Sequence, residues 1–157
     1  MGTVSTLPAF LDAFRAKLLV RSELAGVNIY TGPVDDLSIG EEALVFAVDE
    51  TEGELEYKTL PHAEAFESYD VEGRIWIVVA GAGETAIKAA RDRAFVLFAE
   101  VASELKADNV STAGTVTALG VSDARITEWT LKQIVVDGGR DARITFNVEV
   151  RAEFTPA

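Results

Sequence analysis

The sequence contains no cysteine and only one histidine. Without cysteine there are no disulfides and no thiolate chemistry, which fits a reducing compartment. With one histidine, the usual zinc sites are short of ligands. No apolar run approaches the roughly 18 residues that span a bilayer. Asp12, Arg15 and Lys17 interrupt the positions where the apolar core of a signal peptide would stand, so none is expected. The G-x-S-x-G pattern of a serine nucleophile is missing, and no G-K-[ST] follows a glycine at P-loop spacing. Positive charge is scarce as well: 14 Lys and Arg stand against 26 Asp and Glu, a net charge of −12. Such a chain gains nothing from general attraction to phosphates, and direct nucleic-acid binding is not expected. The charge serves solubility, or a surface that must not hold DNA passing nearby.

What remains is a globular pattern. The 157 residues are 48% apolar, and at this size roughly 68–70% of the unfolded surface can be buried without covalent staples. A single domain over 1–157 is expected. Leu7, Phe10, Leu11, Phe14 and Leu18 repeat at three and four residues, one stripe of an amphipathic helix. Thr6 and Pro8 mark its start, and Gly26 its stop after Leu24. Short strands are predicted over 27–30, closed by a turn at Gly32-Pro33, and over 43–48.

Residues 49–70 change character. They hold Asp49, Glu50, Glu52, Glu54, Glu56, Glu64, Glu67 and Asp70 among scattered apolar residues. Long structureless loops are uncommon in compact domains, so part of the segment, near 54–60, is expected to extend as a hairpin arm. The plain alternative is an acidic surface loop. From Gly73 to Ala80 the apolar run predicts a strand buried on both faces. A long helix is predicted over 84–107, with Ile87, Ala90, Arg91, Ala94, Leu97, Phe98, Val101, Ala102 and Leu105 on its mostly apolar side and Arg91 and Arg93 interrupting the first half. Strands are predicted over 111–121, 125–137 and 142–154. In the middle one Trp129 and Leu131 share one parity and Ile134 and Val136 the other, which predicts a bulge near Lys132-Gln133.

The clearest signal is the last strand. Ile144, Phe146, Val148, Val150, Ala152 and Phe154 alternate with Arg143, Thr145, Asn147, Glu149, Arg151 and Glu153. A period of two marks one buried and one wet face, mainly a property of antiparallel sheets. Asp137, Gly138, Gly139 and Arg140 form the turn before it. Runs of strands and helices, rather than strict alternation, give an α+β fold: a mostly antiparallel sheet carrying an N-terminal and a long central helix.

Three features invite a chemical reading. Residues 79–86, Val-Ala-Gly-Ala-Gly-Glu-Thr-Ala, have the form G-x-G-x-x-A between a strand and a helix, as in dinucleotide-binding folds. The second buried parallel strand with its acid is not where that unit needs it, and Glu84 would set negative charge beside the phosphates. The plain reading is a Gly-rich connection with Glu84 on the helix dipole. His62, with Glu64 to orient it, has the makings of a general base; the plain reading is a solvated loop histidine. The acids of 49–56 lack the spaced Asp/Asn and glycine of a calcium loop, and nothing selects a glycosidase pair from the acids present. No cofactor and no metal is expected.

Taken as a whole, the N-terminal helix leading into Val27-Asn28-Ile29-Tyr30-Thr31-Gly32-Pro33-Val34, the central strand Arg74-Ile75-Trp76-Ile77-Val78-Val79 feeding a long helix, and the β-rich end of 144–154 resemble the tail terminator, or tail-completion, proteins of long-tailed bacteriophages. The resemblance is one of layout over most of the chain. It implies a non-enzymatic virion protein that forms a homo-hexameric ring on the tail tube and joins it to the head-tail connector. DNA passes through the lumen without specific binding, and no membrane is involved. A negative lining suits such a channel, because attraction to phosphates would slow transit. The family brings no catalytic residues. Glu54, Tyr57, Leu60 and Phe66 of the arm are the expected subunit-contact residues, since a strand edge or arm adds to a neighbour's sheet. Other neck proteins (a head-completion or stopper subunit), a small-ligand-binding domain and a dinucleotide enzyme are the alternatives.

Overall fold

A computed structural model describes residues 4–58, 64–110 and 120–155. In chain order the elements are α1 (Leu7–Leu19), a 3-10 turn (Ser22–Leu24), β1 (Asn28–Tyr30), β2 (Glu42–Phe46), β3 (Gly53–Tyr57), β4 (Ala65–Ala80), α2 (Gly83–Val110), β5 (Val121–Val136) and β6 (Gly139–Phe154). The six strands among the described residues belong to one sheet of order β1-β2-β4-β6-β5, with β3 paired to the free stretch of β4 beyond β2. Every pairing is antiparallel except β1 with β2. The fold is α+β, as the terminal alternation predicts. His62, Leu60 and most of the strand predicted over 111–121 lie outside the described residues.

Both helices pack on one sheet face. Phe10, Phe14 and Leu18 of α1, and Ala90, Ala94, Leu97, Val101 and Leu105 of α2, share one core with Val71, Ile75 and Ile77 of β4 and Ile144, Phe146, Val148 and Val150 of β6. Aromatic rings join the layers: Phe14 meets Phe46 edge-on at 5.3 Å, Phe46 meets Phe146 at 6.0 Å, and Phe98 lies 5.1 Å from Phe146. Gly73 stands directly opposite Phe146 in the β4–β6 register, and the ring fills the space that a side chain at Gly73 would occupy.

Several expectations are corrected. The first helix does not run to Leu24. It stops at Leu19, Arg21 is extended (ψ 128°), and a 3-10 turn follows. Released from the helix, Arg21 reaches α2, with Nε 2.6 Å from Glu100 and a terminal nitrogen 3.3 Å from Glu104. That contact lets Glu104 be buried on a helix face read as apolar, while Ala102 is exposed. The second strand ends at Phe46, because Ala47 takes a left-handed conformation (φ 54°) and gives its N–H to the Glu72 carbonyl.

The central strand begins at Ala65, eight residues before Gly73. Among the described residues no second layer of structure covers its outer face. Trp76 lies there under Arg143, and Val78 exchanges backbone hydrogen bonds with Gly40 and Glu41. No bulge stands at Lys132-Gln133, where pairing with β6 is continuous from Glu128 to Val136. The register shifts lie between Val121 and Asp123 and between Ile126 and Glu128. The apolar parity changes because β5 is an edge strand with apolar residues on both faces.

Candidate subunit interface

The predicted arm is a hairpin built on the sheet. In β3, Glu54 pairs with Ser68, Leu55 with Glu67, Glu56 with Phe66 and Tyr57 with Ala65. Opposite residues of an antiparallel pair share a face. Glu54, Glu56 and Phe66 therefore stand on the open face, and Leu55 and Tyr57 on the helix-bearing face. The expected contact residues are split between the two faces, with Leu60 outside the described residues. Leu55, Tyr57 and Phe66 are all more than 40% exposed. Lys58 lies 4.1 Å over the Phe66 ring and pairs with Glu153 of β6. That carboxylate holds the Lys58 ammonium above its ordinary pKa. The arm is thereby tied to the main sheet at its tip.

At its root the arm is fixed by a buried polar chain. Tyr69 donates to Thr6 Oγ1 at 3.0 Å, and Thr6 donates from Oγ1 (2.6 Å) and from its backbone N–H (2.8 Å) to Glu67 Oε1. The second donor settles the direction of the Thr6–Tyr69 bond, since the Thr6 hydroxyl proton is used on the carboxylate. Burial pushes the Tyr69 hydroxyl up to about 12. The open face carries a second cluster at the other end of the sheet. Asp141, 2% exposed, accepts from Trp76 Nε1 at 2.7 Å and from Arg143 at 2.8 Å, while the Arg143 guanidinium lies 4.0 Å over the Trp76 ring. Both clusters consist of groups that satisfy one another's hydrogen bonds, as buried polar groups generally do.

The far edge of the sheet carries a second exposed apolar stretch. Along β5, Trp129 is 53% and Val135 75% exposed. Trp129 meets Phe95 edge-on at 5.5 Å and Phe98 at 6.4 Å. Ile87, Gln133, Ile134, Val135, Arg140 and Asp141 line a cleft of about 140 Å³ between α2 and β5. The signal in the sequence was the same two-parity apolar pattern that suggested a bulge.

No group of three or more His, Cys, Asp or Glu among the described residues is placed to hold a metal. No described helix is long and apolar enough to cross a membrane. The G-x-G-x-x-A segment does join a strand to a helix, but Gly81 gives its N–H to Gly138 O at 3.0 Å. The strand after α2 runs parallel to β4 yet is separated from it by β6.

No family model and no curated protein matches the sequence. In structure, the chain is similar to a chain of the virion of a native gene transfer agent particle, with a TM-score of 0.59 over 97% of this chain and 100% of that one, at 16% identity. At that identity the likeness is one of fold, and it extends from end to end.

Proposed function

We propose that the chain is a structural, non-enzymatic protein of a phage-like virion, and specifically a tail terminator. It assembles as a homo-hexameric ring on the end of the tail tube, meets the head-tail connector on its other side, and lets DNA through its lumen without specific contacts. The observation that carries this reading is the end-to-end fold likeness to a chain of a gene transfer agent virion. The physics supports it. A net charge of −12 suits a channel that must not hold phosphates. A sheet with helices on one face leaves its second face and its edges available for neighbours, and a closed ring needs two different patches per subunit.

The test is electron microscopy of particles carrying a labelled copy of this chain, with particles lacking it alongside. Label in a ring at the head–tail junction, and tails of uncontrolled length or without heads when the chain is absent, are expected. Label elsewhere in the particle, or normal particles without the chain, would sink the reading.

A further inference from the structure

Resting on the ring reading, we infer that neighbouring copies join by strand addition: the outer edge of β3 in one copy pairs antiparallel with the outer edge of β5 in the next, Leu55 opposite Gln133 and Glu56 opposite Lys132.

Four observations lead there. First, β3 pairs only with β4 and β5 only with β6 among the described residues. The outer backbone row of β3 around Leu55, and that of β5 from Glu128 to Val136, therefore pairs with no strand among the described residues and can take one from another chain. The β5 edge is regular from Glu128 to Val136, a stretch with no proline and two charges, so little blunts it. Second, direction fits. β4 runs antiparallel to both β3 and β6, and β6 antiparallel to β5, so β3 and β5 point opposite ways. A head-to-tail repeat that keeps the strands upright brings them together antiparallel.

Third, the faces match. Leu55 is on the helix-bearing side, as are Gln133 and Val135, which pair with Ala142 and Arg140. In a continued sheet Leu55 lies against the cleft under Ile87. Glu54 and Glu56 are on the open side with Lys132, whose partner in β6 is Arg143. Fourth, the charges are complementary. Glu50, Glu52, Glu54 and Glu56 form no ion pair among the described residues. Lys132, on the same open face, forms none either. In a chain of net −12 this lysine is the natural seat of an acidic strand. Two copies meeting β3 to β3 would oppose glutamates instead.

The absence of cysteine gives a clean probe. The Cα atoms of directly opposed residues in an antiparallel pair stand about 4.5–5.5 Å apart, within disulfide range. The Leu55→Cys/Gln133→Cys double variant, folded by circular dichroism and oxidised at high protein concentration, is expected to give a ladder of covalent oligomers. A mixture of the two single variants is expected to stop at dimers. Lys132→Glu is expected to weaken self-association about fivefold, and Glu56→Lys to restore it where Glu54→Lys does not.

Oligomers of unchanged mass without cross-links would overturn the inference and leave the ring reading standing. So would a Gln133→Cys single variant that cross-links to itself. A chain that stays monomeric and uncross-linked at every concentration also overturns it. Where the label sits in the particle then decides the ring reading separately.

Discussion

The contact between Gly73 and Phe146 gives the sharpest test of the packing. A methyl group placed at Gly73 would lie 2.3 Å from Cζ and 2.5 Å from Cε2 of the Phe146 ring, so the ring must retreat by more than 1 Å. It has little room, since Phe46 and Phe98 bracket it at 6.0 and 5.1 Å. Overpacking of this kind costs about 1–3 kcal/mol, and three ring atoms in conflict place Gly73→Ala near 3. Loss of glycine's unfolded-state freedom offsets up to about 1 kcal/mol. The net expectation is about 2 kcal/mol of destabilisation, or a Tm lower by about 4–8 °C in a domain of this size. Phe146→Ala alone is expected to cost about 3–5 kcal/mol. In that background the new methyl enters the vacated space, so Gly73→Ala changes sign and stabilises by about 0.5–1 kcal/mol. The coupling is then between 2 and 3 kcal/mol, in the range seen for residues in direct contact. Urea unfolding of the four proteins at unchanged m-value measures it. Additive effects, or a Gly73→Ala variant as stable as the parent, would refute the claim that the ring occupies the glycine's side-chain space.

Three further outcomes follow from local geometry. Ala47→Gly is expected to stabilise the chain by about 1 kcal/mol in urea unfolding, because φ is 54° there and a side chain is disfavoured. Tyr69 is expected to ionise near pH 12, read by absorbance near 295 nm. Its folded pKa is raised above the ordinary 10.0, so its contribution is intact below pH 10 and is lost as pH rises towards 12; Tyr69→Phe is expected to flatten the fall of unfolding free energy in that window. Gly83→Val is expected to destabilise by at least about 1 kcal/mol, since Gly83 has φ 77°, while calorimetry with dinucleotides shows no binding before or after. Micromolar binding abolished by that substitution would revive the nucleotide reading.

How far the sequence disclosed this depended on who covers whom. Strict alternation in β6 exposed its strand, its buried face and the antiparallel class, because one face meets the helices and the other does not. The arm is legible from the length of the acidic segment, too long for a structureless loop, yet β4 begins eight residues before the predicted start at Gly73. Its inward positions there include Glu67, a carboxylate buried by hydrogen bonds from Thr6 rather than by apolar character. Hydropathy cannot register that solution. The break at Arg21 and the burial of Glu104 have the same origin: an ion pair between elements 83 residues apart, invisible to local periodicity. In β5 the parity change comes from an edge strand with apolar residues on both faces, Trp129 and Leu131 towards α2 and Ile134 and Val136 on the open side. Tyr57 and Phe66 both lie on the arm, but their division between its two faces follows only from the register with β4.

The glycines of 81–83 show how a chemical motif arises without the chemistry. In a dinucleotide fold the phosphates sit at the carboxyl end of a parallel sheet, where adjacent strands diverge and leave a crevice. Here β4 and β5 are parallel, but β6 lies between them and its first residue fills that end. Gly139 is packed so closely that a side chain on it would come 2.7 Å from the Val79 carbonyl oxygen. The Gly81 N–H, which would have to face a phosphate, is taken by Gly138 O. The glycines have another cause. After Ala80 the chain must turn over the sheet within two residues and start α2, which requires positive φ at Gly81 (116°) and Gly83 (77°). The hydrogen bond to Gly138 then ties this reversal to the β5–β6 turn at the same end of the sheet. A G-x-G pattern is thus what a strand-to-helix reversal needs when a second turn is docked on it, and the docked turn is what closes the site.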